Sequence, residues 1–180
     1  MMRVLVVIMI TLMTFTARAV EKGDFVLQPS LNLGGYGGYP GYGGFGLGAT
    51  LNADFAVHNY ISVGPFLGYN VKSESNDNYK YSRLGIGARG VFHWWQLLDD
   101  KVAKDLKSDK IDFYVPLFVG GYLSNARFDG NKKDDYDNRN GVLAGVGIGF
   151  RYYFQQNIGI SLEWGRQEMS YAKIGVAIKM

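Results

Sequence analysis

Polar and apolar residues alternate along most of this chain with a period of two, the signature of strands whose two faces meet different surroundings. Eight such runs are predicted, over about 24–34, 44–57, 60–72, 81–95, 111–123, 141–155, 157–165 and 171–180. In the second, Phe45, Leu47, Ala49, Leu51, Ala53, Phe55 and Val57 take one face. Gly44, Gly46, Gly48, Thr50, Asn52, Asp54 and Ala56 take the other. The sixth repeats the scheme, with Val142, Ala144, Val146, Ile148, Phe150, Tyr152 and Phe154 set against Leu143, Gly145, Gly147, Gly149, Arg151 and Tyr153. Across the eight runs the apolar phase carries no charge. The opposite phase holds Gln28, Ser30, Asn32, Asp54, Asn70, Arg83, Arg89, His93, Asp112, Arg151, Ser161, Glu163, Lys173 and Lys179.

Two architectures give such strands. A soluble barrel or sandwich turns its apolar face inward, whereas a membrane barrel turns it outward to lipid around a polar lumen. The polar phase decides between them. It is rich in glycine (Gly64, Gly68, Gly85, Gly87, Gly120, Gly145, Gly147, Gly149, Gly159 and Gly175 among others), where a solvated face would carry Lys, Glu and Thr. Glycine suits a narrow lumen in which Phe66, Phe118 and Tyr122 need room. Aromatic residues gather towards strand ends, as interfacial girdles require. One set is Phe25, Phe55, Tyr60, Trp94, Trp95, Phe113, Tyr114, Tyr152 and Phe154; the other is Tyr69, Tyr79, Tyr81, Tyr122, Trp164 and Tyr171. The predicted fold is therefore all-β, an eight-stranded antiparallel up-and-down transmembrane barrel.

The connections alternate in kind. With the N-terminus in the periplasm, the outer loops are 35–43, 73–80, 124–140 and 166–170. The inner turns are His58-Asn59, 96–110 and the neighbourhood of Gln156. Segment 96–110 is long for an inner turn, and Leu98, Val102 and Leu106 recur at helical spacing, which predicts a short amphipathic helix.

The first 19 residues differ from the rest. Arg3 precedes an apolar stretch from Val4 to Phe15, and Ala17-Arg18-Ala19 offers a small-x-small cleavage site. The apolar stretch is shorter than the roughly 20 residues that span a bilayer. It reads as a signal peptide cleaved after Ala19, leaving a barrel domain over 20–180. The formal charge of +3 changes with it. Losing Arg3 and Arg18 of the 19 basic residues, and none of the 16 acidic ones, leaves +1. That balance gives no reason to expect a nucleic-acid partner. The chain has no Cys, so disulfides and thiolate sites are excluded.

The last run, Tyr171-Ala-Lys-Ile-Gly-Val-Ala-Ile-Lys-Met180, looks like a C-terminal barrel-assembly strand, although it ends in Met rather than an aromatic residue. With the leader, the eight runs and the girdles, it makes the chain resemble the small outer-membrane β-barrel families of the OmpX/Ail and OmpA-barrel kind. The resemblance covers 20–180. It implies a bacterial outer-membrane location, a monomer, and contact with outer-membrane lipid and lipopolysaccharide.

Candidate chemistry is sparse. Gly145-Val-Gly147-Ile-Gly149 has the wrong spacing for a dinucleotide loop. Asp135-x-Asp137 is followed by Arg139 where a further calcium ligand belongs. His58 and His93 are the only histidines, and no Ser stands beside His93 at the spacing of a lipid deacylase. No catalytic, cofactor or metal site is assigned, and no enzyme is expected. In the hairpins centred near 132 and 168, Asp112 falls opposite Arg151 and Glu163 opposite Lys173, which predicts two lumen ion pairs. Arg89 with Asp54 is a third candidate pair. Glycine-rich 34–46 displays Tyr36, Tyr39 and Tyr42, suited to adhesion or glycan stacking. The functional expectation is a structural or surface-binding barrel acting through its outer loops. The alternatives are a narrow pore and, behind that, a lipid-modifying enzyme.

Overall fold

A strand with one uninterrupted apolar face cannot leave its backbone edges unpaired in lipid, so eight of them must close on themselves. They do so in a computed structural model of the chain, which describes residues 19–35, 46–74, 79–102, 106, 109–128 and 137–180. The strands are β1 Phe25–Gly35, β2 Gly46–His58, β3 Ile61–Glu74, β4 Tyr79–Phe92, β5 Ile111–Phe128, β6 Asp137–Tyr153, β7 Ile158–Gly165 and β8 Ser170–Lys179. One helix, α1 Trp94–Lys101, joins β4 to β5. Each strand pairs antiparallel with its sequence neighbour, and β1 pairs with β8 to shut the barrel.

The polarity is inside-out. Leu31, Ile86, Val119, Ile148 and Trp164 are 58–72% exposed around the outer wall. Gln28, Asn32, Asn52, Asp112 and Arg151 are 0% exposed in the lumen. Water would penalise this arrangement and lipid rewards it. The lumen glycines stand where larger neighbours need space. A Cβ on Gly145 would lie 2.7 Å from Phe118 Cζ, and one on Gly87 would lie 2.6 Å from Phe66 Cε1.

Several boundaries differ from the expectation. The fourth run does not continue to Trp95, because β4 ends at Phe92 and Trp94 opens α1. The helix therefore starts and stops earlier than 96–110. Trp94, Trp95, Phe113 and Phe150 pack there as a chain of rings with centroids 4.9–5.6 Å apart. That burial holds the helix against β5, whereas Val102 ends it 77% exposed. His58 closes β2, and the turn is Asn59 and Tyr60. Segment 124–140 is not all loop either. The ladder continues to Tyr79↔Phe128 and Ala126↔Asp137, so the β5–β6 hairpin rises level with β4 on one side and above β7 on the other. Three girdle assignments also fail. Tyr114 and Tyr81 are buried, and Tyr122 packs against the lumen cluster around Phe118.

Three strand prolines each lack the N–H that a ladder uses, and each leaves an interruption on one side. At Pro29, the β1–β8 pairing skips from Leu27↔Ile178 to Ser30↔Gly175. At Pro65, β2–β3 skips from Asn52↔Phe66 to Phe55↔Val63. At Pro116, β5–β6 skips from Tyr114↔Gly149 to Leu117↔Val146.

Candidate functional site

Period-two alternation delivers every second side chain of each strand into a lumen only a few side chains wide, so charged residues there must meet one another. Asp112 and Arg151 are direct register partners, with Nη1 3.5 Å from Oδ2. Glu163 and Lys173 are likewise opposite, with Nζ 2.6 Å from Oε2. Arg89 Nε lies 3.1 Å from Asp54 Oδ1, off the hydrogen-bond axis, so this contact is electrostatic rather than directed.

The pairs merge into one network. Arg89 also donates from Nη2 to Glu163 at 3.0 Å and from Nη1 to Glu168 at 3.1 Å. Arg151 donates from Nη2 to Asp54 and from Nε to Gln28, both at 2.8 Å. Its guanidinium carbon stands 4.3 Å from the Tyr114 ring centre, and Tyr114 Oη donates to Glu163 at 2.8 Å. Lys173 bridges Glu163 and Glu168. Every side chain in these ion pairs is at most 1% exposed. A lone charge at such burial would be very costly, which is why each cation meets at least two carboxylates.

Glu168 comes from a segment expected to be an outer loop. At the end of β7, Gly165 adopts φ +123°, a left-handed conformation favourable to glycine, and the chain turns into the barrel. Gln167, Glu168, Met169 and Ser170 are all at most 1% exposed. Met169 packs with Phe66, Phe118 and Leu143, and its carbonyl accepts from Asn70 Nδ2 at 2.5 Å. The 166–170 connection is therefore an inward plug. Alternation gave no warning of it, because a four-residue excursion has no periodicity. The visible signals were Gly165 and an acid beside a Met.

Towards the periplasm, His93 Nδ1 is 2.9 Å from Asp112 Oδ2, and Nε2 is 2.9 Å from Ser62 Oγ. Ser62 lies 31 residues before His93, so sequence spacing could not reveal it. The order of contacts matches a nucleophilic triad. The setting does not, since Ser62 is 1% exposed and His93 and Asp112 are 0%. An acyl group cannot reach Oγ without opening the barrel. What the arrangement does in this state is tie β3, β4 and β5 together beneath the charged network. Below it, Val20 is buried with Val26, Ala56, Tyr153 and Ala177 at the barrel mouth.

Tyr36, Tyr39 and Tyr42 lie outside the described residues.

No protein-family model matches the sequence, and no curated protein matches it significantly. Solved structures do. Neisserial surface protein A aligns at TM-score 0.54 and 14% identity, over 88% of this chain and 97% of that one. The N-terminal β-barrel domain of Pseudomonas aeruginosa OprF aligns at TM-score 0.52 and 11% identity, over 89% and 100%. Ail, the attachment invasion locus protein of Yersinia pestis, aligns at TM-score 0.51 and 15% identity, over 89% and 96%. This chain has the fold of the small outer-membrane β-barrels. At these identities the likeness shows the fold alone.

Proposed function

We propose that the protein is a closed outer-membrane barrel that works as a structural or surface-binding element at its outer rim, not as a pore. One observation carries this reading: the lumen is filled from both ends. Arg89, Arg151, Tyr114, Phe66 and Met169 are all below 2% exposed, with strand residues packing the lower half and an inserted loop the upper. Solute flow would need these groups to part, and each charge would lose its partners. In planar bilayers the purified protein is expected to give no conductance steps. Regular steps would favour the narrow-pore reading.

The outer loops then carry any specific recognition. Tyr36, Tyr39 and Tyr42 are the candidates within this reading, for sugar or protein surfaces. Binding of cells displaying the protein to a glycan panel, compared with cells displaying a triple Tyr→Ser variant, tests that role. Equal binding sinks it. The same reading makes 1–19 a signal peptide, so N-terminal sequencing of the membrane form is expected to begin at Val20.

A further inference from the structure

The outer end of the barrel wall is discontinuous. β7 pairs with β6 only from Gly147 to Tyr153, while β6 begins at Asp137. Arg166 N donates to Val146 O at 3.1 Å, and beyond that point no described strand pairs with this side of β6. The inward turn at Gly165 that supplies the plug also leaves the opening.

A cavity of about 350 Å³ occupies it. Its lining mixes the two faces of the sheet: Arg83, Phe118 and Tyr122 from the lumen, and Val142 and Ala144 from the outer wall. The cavity therefore runs through the wall. Arg166 stands exposed at its lip. The lining brings two guanidinium groups, those of Arg83 and Arg166, to one opening. Arg83 is held in place, with Nε donating to Tyr81 Oη at 2.9 Å and its guanidinium 4.0 Å from the Tyr122 ring centre. Outside the opening, Val142 is 78% exposed and Trp164 72%.

We infer that this opening binds the phosphate-bearing headgroup of an outer-leaflet glycolipid. The lipid enters sideways, with its phosphate between Arg83 and Arg166 and its acyl chains along Val142 and Trp164. Guanidinium forks match phosphate oxygens, and low-dielectric walls strengthen the contact. A soluble anion would need only the first half of the site; an amphiphile uses both. The inference rests on the membrane reading above.

The test uses the whole barrel purified in a neutral detergent, titrated with bis-phosphorylated lipid A, dephosphorylated lipid A and inorganic phosphate. Lipid A is expected to bind, and its dephosphorylated form to bind at least about tenfold more weakly. Arg166→Gln and Arg83→Gln should each cost a similar factor, with the gel shift on boiling confirming that both still fold. Equal binding of the two lipids overturns the inference, as does unchanged affinity in Arg166→Gln. Inorganic phosphate competing at the same concentration as lipid A assigns the site to free phosphate and overturns the lipid. If Arg83→Gln does not fold, Arg166→Gln and Val142→Glu, both at exposed positions, decide between the two outcomes. Finding the protein outside the outer membrane would sink the functional reading while leaving micelle binding intact. Lost binding in a correctly located barrel would sink only the site.

Discussion

The two halves of the lumen are closed by different means. The periplasmic half is filled by strand side chains: Arg89, Arg151, Asp54, Asp112, Glu163 and Lys173, each placed by register and alternation. The outer half is filled by a loop, with Met169 seated among Phe66, Phe118 and Leu143 and Glu168 reaching down to Arg89 and Lys173. The lower filling cannot move without breaking the sheet. The upper filling is held by one apolar side chain, a few hydrogen bonds and the Glu168 contacts. The same protein thus uses wall-determined electrostatics below and a folded-in segment above. The segment also opens the wall where β7 stops.

This contrast can be broken from either side. Arg89→Met should cause the largest loss, about 3–5 kcal/mol, because it leaves Asp54, Glu163 and Glu168 buried with only Arg151 and Lys173 to share among them. Urea unfolding of the detergent-solubilised barrel would measure it, and an unchanged midpoint would mean the network does not hold the lower half. Ile86→Arg tests the polarity that both halves share. Ile86 is 63% exposed near the middle of β4, and a charge there should cost about 2–4 kcal/mol in lipid. A neutral result in vesicles would place that face in water.

Met169→Ala addresses the upper half. The loss should be about 2 kcal/mol, at the low end for a buried Met because a loop can settle into the space. Protease sensitivity near 166–170 should rise with it; a variant as resistant as the parent would argue that the plug is held elsewhere. Smallest of all, Lys179→Ala at the periplasmic rim removes a 3.7 Å contact with Asp24 that water partly screens. Its expected cost is below about 1 kcal/mol. A larger effect would show that the rim, and not the lumen, sets the stability.

Much of this was readable along the chain. The Asp112–Arg151 and Glu163–Lys173 partnerships were legible because a hairpin centre fixes which residues face each other. The contact of Arg89 with Asp54 was weaker in sequence, since β2 and β4 are not neighbours and meet only across the lumen. Ser62 with His93 was invisible for a different reason. Motif spacing connects residues close in the chain, whereas the β3–β4 hairpin brings 62 and 93 to one end of the barrel.

Sequence alone determined the barrel: period-two alternation, an uncharged apolar phase and glycine in the polar phase admit few other solutions, because lipid forbids an open edge. It also determined which charges enter the lumen. Only the tertiary structure decided where the strands stop and where the β7–β8 connection goes. Those outcomes depend on a single left-handed glycine at 165, on a Met finding an apolar hole between Phe66 and Phe118, and on an acid finding two cations. The seating of Met169 and the reach of Glu168 to Arg89 have no local pattern, because Phe66, Phe118 and Arg89 are distant in the chain.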